Sequence, residues 1–160
     1  MLAVDTQVTE LLGRHRLADE LLRAGLEVAW PARDRGIDLI AYADLGKQVK
    51  NFVAKPIQMK AASTQAFSLF QKYTKISDLI LAYVWNLADP KSAVTFALTY
   101  PEALGVADSM GWTKTASWAT GGYSNSRPGA QLRALLSPFE MTSDRWWGKV
   151  VGGQRPIEVP

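Results

Sequence analysis

The stretch DLILAYVWNL, residues 78–87, constrains the fold of this chain more than any other, because it carries no charged side chain after its first residue. Its aliphatic and aromatic residues are typical of a β-strand, and an apolar run without alternating polar positions is typical of a strand buried on both faces. Other elements must therefore cover both faces of the sheet around it. The chain is predicted to form a layered α/β structure.

The remaining pattern predicts how the sheet is built and covered. Helical periodicity, with Asp5 or Thr6 as the capping residue, predicts an opening helix over residues 6–25. Further strands are predicted at 26–31, 37–43, 52–62 and 93–99, and further helices at 100–111 and 130–139, with a last turn or helix in 141–153. Residues 63–76 are predicted to be partly helical, and residues 118–129 to form a loop. This order indicates a mixed central sheet flanked by helices.

The length of 160 residues suggests one domain over residues 1–160, with a core at about 6–100 and a helical, tryptophan-rich extension at about 101–160. The chain has no cysteine and one histidine, which excludes disulfides, thiolate zinc sites, cysteine nucleophiles and multi-histidine metal sites. No apolar run is long enough to span a membrane, and the first residues do not resemble a secretory signal. A cytoplasmic protein without membrane contact is expected.

Three polar side chains interrupt the apolar strands in the first half of the chain. Asp38 lies in GIDLIAY, and Gln58 and Lys60 lie in PIQMKAAS. Because side chains alternate along a strand, Gln58 and Lys60 face the same way, and Asp38 joins them if the two strands are adjacent. Burying such groups is costly in free energy unless they are paired. The pattern therefore predicts that Lys60 neutralises Asp38 and that a bound ion completes the site. The alternative is that Asp38 ends a turn and that Gln58 and Lys60 face solvent.

Phosphodiester hydrolysis needs groups of these kinds. Hard oxygen ligands hold a divalent cation beside the scissile phosphate, while other groups position the attacking water and offset the charge of the pentacoordinate phosphate. Asp38 and Gln58 carry the oxygens. Lys60 could position the water and offset the charge.

The two stretches GIDLIAY and PIQMKAA resemble the motifs of the PD-(D/E)xK nuclease superfamily, with Ile37 in place of the nominal proline and Gln58 in place of the nominal acid. The resemblance covers about residues 6–100 and extends to small uncharacterised bacterial members of the superfamily. It implies a restriction-endonuclease-like fold and hydrolysis of DNA phosphodiester bonds, with RNA left open, in the presence of Mg²⁺ or Mn²⁺.

The resemblance also implies roles for individual residues. Asp38, Gln58 and Lys60 would be the catalytic residues. Asp38 would ligate the metal, the Gln58 amide and the Met59 carbonyl would contribute further oxygens, and Lys60 would orient the attacking water and stabilise the developing charge.

Members of the superfamily often add a glutamate from the first helix, and this chain offers two. Glu10 lies in the first turns of the predicted helix, four residues before Arg14 on the same face, and is the preferred metal ligand. The alternative is that the Glu10 carboxylate only stabilises the helix, by interacting with the positive N-terminal end of the helix dipole. Glu20, near Arg16 and Arg23, is predicted to belong to a solvated charge network.

Positive charge is concentrated in residues 45–77, which contain no aspartate or glutamate and the six lysines Lys47, Lys50, Lys55, Lys60, Lys72 and Lys75. Such a field attracts polyanions. The residues predicted to bind nucleic acid are Arg33 and Arg35, which flank the turn before Asp38, and Lys47, Lys50 and Lys72. The alternative for all of them is an ordinary solvated surface.

Two rival functions remain open. A nuclease fold with Gln58 in place of an acid could bind DNA without cutting it. A protein-interaction module could use Trp112, Trp118, Trp146 and Trp147 as its contact surface, although these residues could instead pack the core of the C-terminal region. A homodimer is possible, because cutting both strands of DNA usually needs two active sites.

Overall fold

The computed structural model of the protein describes residues 5–157, which begin with helix α1, Thr6–Arg23. The side chain of its N-cap residue Asp5 accepts a hydrogen bond from the Gln7 backbone N–H at 2.9 Å. Gly25 follows the helix in a left-handed conformation, with φ of 86°. The predicted opening helix is confirmed, although it ends at Arg23.

Five strands form a mixed sheet in the order β1-β2-β3-β5-β6. Their bounds are, in that order, Glu27–Ala29, Leu39–Ala43, Val53–Ala61, Ile80–Trp85 and Val94–Thr99. Strands β1 to β3 form an antiparallel meander, β5 runs parallel to β3, and β6 runs antiparallel to β5. The predicted mixed sheet is therefore confirmed.

Strand β5 contributes to two apolar clusters, one on each face of the sheet. All six of its residues are buried, as residues 78–87 predict. Its alternate side chains divide between the clusters, with Ile80, Ala82 and Val84 in the first and Leu81, Tyr83 and Trp85 in the second. The first cluster also contains side chains of α1. Covering both faces in this way accommodates a strand that has no polar face.

A two-stranded sheet, formed by β4 (Phe67–Phe70) and β7 (Gly122–Asn125), corrects two of the sequence predictions. Residues 63–76 form β4 and then a 3₁₀ helix, Gln71–Lys75, so the partly helical prediction is correct for the second half of this segment and wrong for the first. Strand β7 lies inside the predicted loop 118–129. Alternate side chains of β4 are buried, and Gly122 permits close pairing because a Cβ there would lie 2.7 Å from the Leu69 carbonyl oxygen. The pairing partner lies far along the chain, so local sequence does not reveal it.

Helices follow the last strand of the large sheet. They are α2 (Tyr100–Ser109), α3 (Ala116–Ala119), α4 (Ala130–Leu136) and α5 (Ser143–Val150), so that the predicted helices at 100–111 and 130–139 are confirmed in shorter form. Helix α2 begins with a capping box formed by Thr99 and Glu102. Helices α2 and α4 contribute to the second cluster and α5 to the first. Across residues 5–157, no helix combines the length and apolar character needed to cross a membrane.

Helix α5 packs on α1 through a polar contact at the edge of the first cluster. Glu20 of α1 accepts hydrogen bonds from Trp146 Nε1 at 3.0 Å and from Thr95 Oγ1 at 2.8 Å. Arg16 forms an ion pair with the same carboxylate at 2.9 Å. Trp146 and Trp147 are buried in the cluster. The C-terminal region is therefore packed into the same body as α1 and the sheet.

Candidate active site

A cavity of about 370 Å³ lies where α1, the β1–β2 connection, β3 and β4 meet. Its lining residues are Thr6, Thr9, Glu10, Asp34, Asp38, Gln58, Met59, Lys60, Ala61, Ala66 and Ser68. Helix α1 reaches the end of β3 because residue 13 is glycine: a Cβ there would lie 2.8 Å from Ala61 Cβ. The predicted catalytic residues Asp38, Gln58 and Lys60 all line this one cavity.

The pairing of β2 with β3 brings these side chains together. The strands are antiparallel, and the Asp38 backbone N–H donates to the Ile57 carbonyl at 2.9 Å. Gln58 and Lys60 lie on one face of β3, opposite the face on which Met59 joins the first apolar cluster. The adjacency on which the sequence analysis depends is therefore present.

The Asp38 carboxylate is 7% exposed, and both of its oxygens contact polar groups of the protein. Its Oδ2 accepts hydrogen bonds from Gln58 Nε2 and from the Met59 backbone N–H, each at 2.7 Å, and its Oδ1 lies 3.6 Å from Arg14 Nη2. Burial raises the pKa of this carboxyl above its ordinary value, and the Asp34 carboxylate raises it further. The Met59 hydrogen bond and Arg14 oppose this rise without cancelling it.

The Lys60 ammonium lies over aromatic rings and forms no ion pair with Asp38. The predicted pairing of Lys60 with Asp38 is therefore absent, and Asp38 contacts Gln58, the Met59 backbone and Arg14 instead. Lys60 Nζ lies 5.1 Å from the ring centroid of Tyr73 and 5.5 Å from that of Phe70. Burial lowers the pKa of the Lys60 ammonium, although the Asp38 and Asp34 carboxylates act in the opposite direction. Within residues 5–157 this ammonium forms no ion pair, and it lines the cavity, so it is available to a ligand.

The two candidate helix acids have different surroundings. Glu10 lines the cavity and forms an ion pair with Arg14 at 2.7 Å, so that the Arg14 guanidinium lies between the Glu10 and Asp38 carboxylates. Arg14 Nε is buried without a hydrogen-bond partner among the described residues. Glu20 lies ten residues further along α1, where it contacts Trp146, Thr95 and Arg16 in place of the predicted solvated network, and it does not line the cavity.

The predicted metal ligands fit a divalent cation in the kind of atom they offer, since carboxylate, amide and carbonyl oxygens are hard ligands. Nitrogen donors hold those oxygens in this structure: Gln58 Nε2 lies 2.7 Å from Asp38 Oδ2 and 3.3 Å from the Met59 carbonyl oxygen. Within residues 5–157, no group of three or more histidine or carboxylate side chains is arranged to hold an ion. The site therefore offers the right atoms, but the positive charges of Arg14 and Lys60 offset much of the negative charge of its Glu10, Asp34 and Asp38 carboxylates.

Asp34 is the cavity residue that sequence reasoning missed. It lies in the β1–β2 connection, its Oδ1 accepts a hydrogen bond from the Gly36 backbone N–H at 3.1 Å, and its charge acts on both Asp38 and Lys60. Its position four residues before Asp38, in the turn that leads into β2, is the signal that could have identified it.

The residues predicted to bind nucleic acid divide between the two ends of the sheet. Arg33 and Arg35 are exposed in the β1–β2 connection, at the same end as Asp38. Lys47 and Lys50 lie in the β2–β3 connection, at the opposite end of those strands. Lys72 contacts the same two rings as Lys60, because its Nζ is 5.6 Å from both the Phe70 and the Tyr73 ring centroids. Their role in nucleic-acid binding stays a prediction.

Three of the four singled-out tryptophans are core residues. Trp112, Trp146 and Trp147 are buried, whereas Trp118 is partly exposed. A contact surface made of all four side chains is therefore not available.

Comparisons of the chain with protein-family models, with curated proteins and with solved structures return no match.

Replacing Asp38 by asparagine is expected to shift stability in a pH-dependent way. A carboxyl whose pKa is raised by folding favours the folded state below its ordinary value near 3.8, and this contribution is lost as the pH rises through the folded pKa. Asparagine does not titrate, so the difference in unfolding free energy between Asp38→Asn and wild type should move in favour of the variant from pH 4 to pH 8. Urea unfolding at both pH values measures it. A pH-independent difference would contradict the raised pKa.

Proposed function

We propose that this protein is a metal-dependent nuclease with a restriction-endonuclease-like fold, and that it hydrolyses DNA phosphodiester bonds. One observation carries the proposal: Asp38 and Lys60 line the same cavity from neighbouring strands. Burial raises the pKa of Asp38 and lowers that of Lys60, and both shifts favour the neutral form of the side chain. Titratable groups with perturbed pKa values in a cavity are typical of catalytic sites. The order of opening helix, antiparallel meander and parallel strand supports the same reading.

Lys60 would act directly on the reacting phosphate. Its ammonium faces the cavity without an ion pair among the described residues, so it can donate to a phosphate oxygen and to the attacking water. The rings of Phe70 and Tyr73 hold it in place, which reduces the reorganisation needed when the substrate binds.

The groups that would hold Mg²⁺ or Mn²⁺ are the Asp38 and Glu10 carboxylates, the Gln58 amide oxygen and the Met59 carbonyl. The bound cation would supply Lewis-acid activation of the phosphate and of water. Holding it requires Gln58 to present its amide oxygen in place of its nitrogen, and the two carboxylates to release Arg14. The cation would therefore compete with groups of the protein itself.

A second function, nucleic-acid binding without cleavage, is favoured by those same competing groups. The Arg14 guanidinium lies between the Glu10 and Asp38 carboxylates, and the Gln58 amide nitrogen satisfies Asp38 Oδ2. If this is the function, the Arg14 guanidinium and the Gln58 N–H donor permanently occupy the positions that a metal ion would need. The basic residues around the cavity would then bind phosphates in a salt-dependent manner.

A cleavage assay separates the two functions. Plasmid and single-stranded DNA are incubated with the wild-type protein in Mg²⁺, in Mn²⁺ or in EDTA, and binding to the same DNA is measured in EDTA. We expect cutting with either metal and none in EDTA. Salt-sensitive binding without cutting in any metal would instead support the non-cleaving function.

A further inference from the structure

A second and larger cavity, of about 1030 Å³, lies between the 3₁₀ turn Gln71–Lys75 and helix α2. We call it the aromatic groove. Its apolar surface is contributed by Tyr100, Leu104 and Trp118, and its basic side chains are Lys72 and Lys75. Gln71 Nε2 donates to the Trp118 carbonyl at 2.7 Å, which joins the turn to the short helix α3. Neither the aromatic groove nor its tryptophan is used by the proposed nuclease site.

The charges of the aromatic groove favour an anionic ligand. Lys72 and Lys75 are exposed, and neither forms an ion pair within residues 5–157. One carboxylate, that of Asp108, also lines the aromatic groove, and it accepts a hydrogen bond from Thr113 Oγ1 at 2.6 Å. Two ammonium groups beside partly exposed aromatic rings match a ligand that carries both phosphates and flat rings.

The aromatic groove and the Asp38 cavity share no lining residue, but a lysine of each contacts the same two aromatic rings, those of Phe70 and Tyr73. Lys60 Nζ lies 5.5 Å from the Phe70 ring centroid and 5.1 Å from that of Tyr73, while Lys72 Nζ lies 5.6 Å from each. The Lys60 and Lys72 ammonium groups are therefore near the same pair of rings. One polyanionic strand could contact Lys60 and continue along Lys72 and Lys75.

We propose that the aromatic groove binds an unpaired segment of a nucleic-acid strand that flanks the phosphate held at Lys60. Its phosphates contact Lys72 and Lys75, and its bases stack on Trp118 and Tyr100. An unpaired segment is specified because bases in a duplex are stacked on one another and have no free face for an aromatic side chain. The inference rests on the proposed nucleic-acid function and names the structure of its substrate.

Binding without metal tests the proposal independently of cleavage. Fluorescence anisotropy of a labelled oligothymidylate, and of a matched blunt duplex, is measured in EDTA over a series of NaCl concentrations. The variants are Trp118→Leu, Trp118→Phe and the pair Lys72→Ala/Lys75→Ala. The pair Lys91→Ala/Arg133→Ala is the charge-matched control, because both residues are exposed and lie outside the two cavities. Thermal unfolding of each variant checks that it is folded.

Each variant has a distinct expected result. Trp118→Leu should bind the oligothymidylate about tenfold more weakly, and Trp118→Phe should restore most of the affinity. The salt slope, which is the slope of the logarithm of the binding constant against the logarithm of the NaCl concentration, and the affinity for the duplex should both be unchanged in Trp118→Leu. Losing two phosphate contacts should make the salt slope of Lys72→Ala/Lys75→Ala less steep by about 1.4, while the control pair keeps the wild-type slope.

Two results would overturn the proposal. Variants of the aromatic groove that bind the oligothymidylate like wild type exclude this surface, even if the protein cuts DNA in the presence of metal. Equal losses for the oligothymidylate and the duplex exclude selectivity for an unpaired segment. Loss of binding in these variants, in a protein that never cuts DNA, would leave the inference standing and refute only the nuclease reaction.

Discussion

Replacing Lys60 by methionine is expected to reduce metal-dependent DNA cleavage by roughly 10²- to 10³-fold, the usual cost of removing one group that stabilises developing charge. Methionine keeps most of the apolar stem of the lysine side chain but removes the ammonium, which lies over the Tyr73 and Phe70 rings. Single-turnover cleavage rates measure the loss. They report on the chemical step without a contribution from product release.

The same substitution is expected to leave the free energy of unfolding at neutral pH unchanged or higher. Burial lowers the pKa of Lys60, so the folded protein binds this proton less tightly than the unfolded chain, and the charged group opposes folding below its ordinary pKa of 10.5. Lys91→Met, an exposed substitution of the same kind, is the control and should change neither quantity. A Lys60→Met protein that cuts DNA at the wild-type rate would refute the assigned role.

Replacing Gln58 by glutamate is expected to destabilise the metal-free protein by about 2 kcal/mol at pH 8. The change removes the N–H donor that bonds Asp38 Oδ2 at 2.7 Å and the Met59 carbonyl at 3.3 Å, and it adds a second carboxylate beside a buried one. Two adjacent carboxylates cannot both ionise without cost, so lowering the pH should restore part of the stability. Urea unfolding in EDTA at pH 8 and at pH 5 measures both effects.

A divalent cation should reverse this loss of stability. The added carboxylate supplies the negative charge that the wild-type site lacks, so Mn²⁺ or Mg²⁺ should raise the melting temperature of Gln58→Glu more than that of wild type. At a concentration about 100 times the dissociation constant, the gain is about 2.7 kcal/mol. Gln58→Met, which loses the donor and the amide oxygen without adding charge, is the matched control and should respond no more than wild type. Equal metal responses in all three proteins would place the cation elsewhere.

The site residues that sequence reasoning predicts are encoded locally, although Asp34, whose signal is equally local, is missed. Asp38, Gln58 and Lys60 meet because strand alternation and the pairing of β2 with β3 are properties of one contiguous stretch of chain. The burial of β5 is likewise encoded in its own apolar residues. Helix α1 is encoded by its periodicity and by its capping residue.

Apart from Asp34, the features that sequence reasoning misses depend on partners that are distant in the chain. Strand β4 pairs with β7, and the sequence prediction for residues 63–76 lacks this strand although it correctly includes helical structure, the 3₁₀ helix Gln71–Lys75. Glu20 reads as a solvated acid because its arginine neighbours are local, whereas its hydrogen bond to Trp146 spans 126 residues. Arg14 is noted only as the partner of Glu10, since its approach to Asp38 depends on how α1 lies against β3.

The contact between α1 and α5 has a consequence for the order of events during synthesis. A ribosome releases the chain from its N-terminus, so α1 and every strand of the large sheet leave the exit tunnel before α5 does. Until then Glu20 lacks its Trp146 partner, and the nascent chain exposes apolar side chains of α1 and of one sheet face. Because α1 forms one wall of the Asp38 cavity, that wall becomes fully supported only after translation has passed Val150. A polysome-bound chain would therefore carry its strands and their lysines well before it carries a finished site.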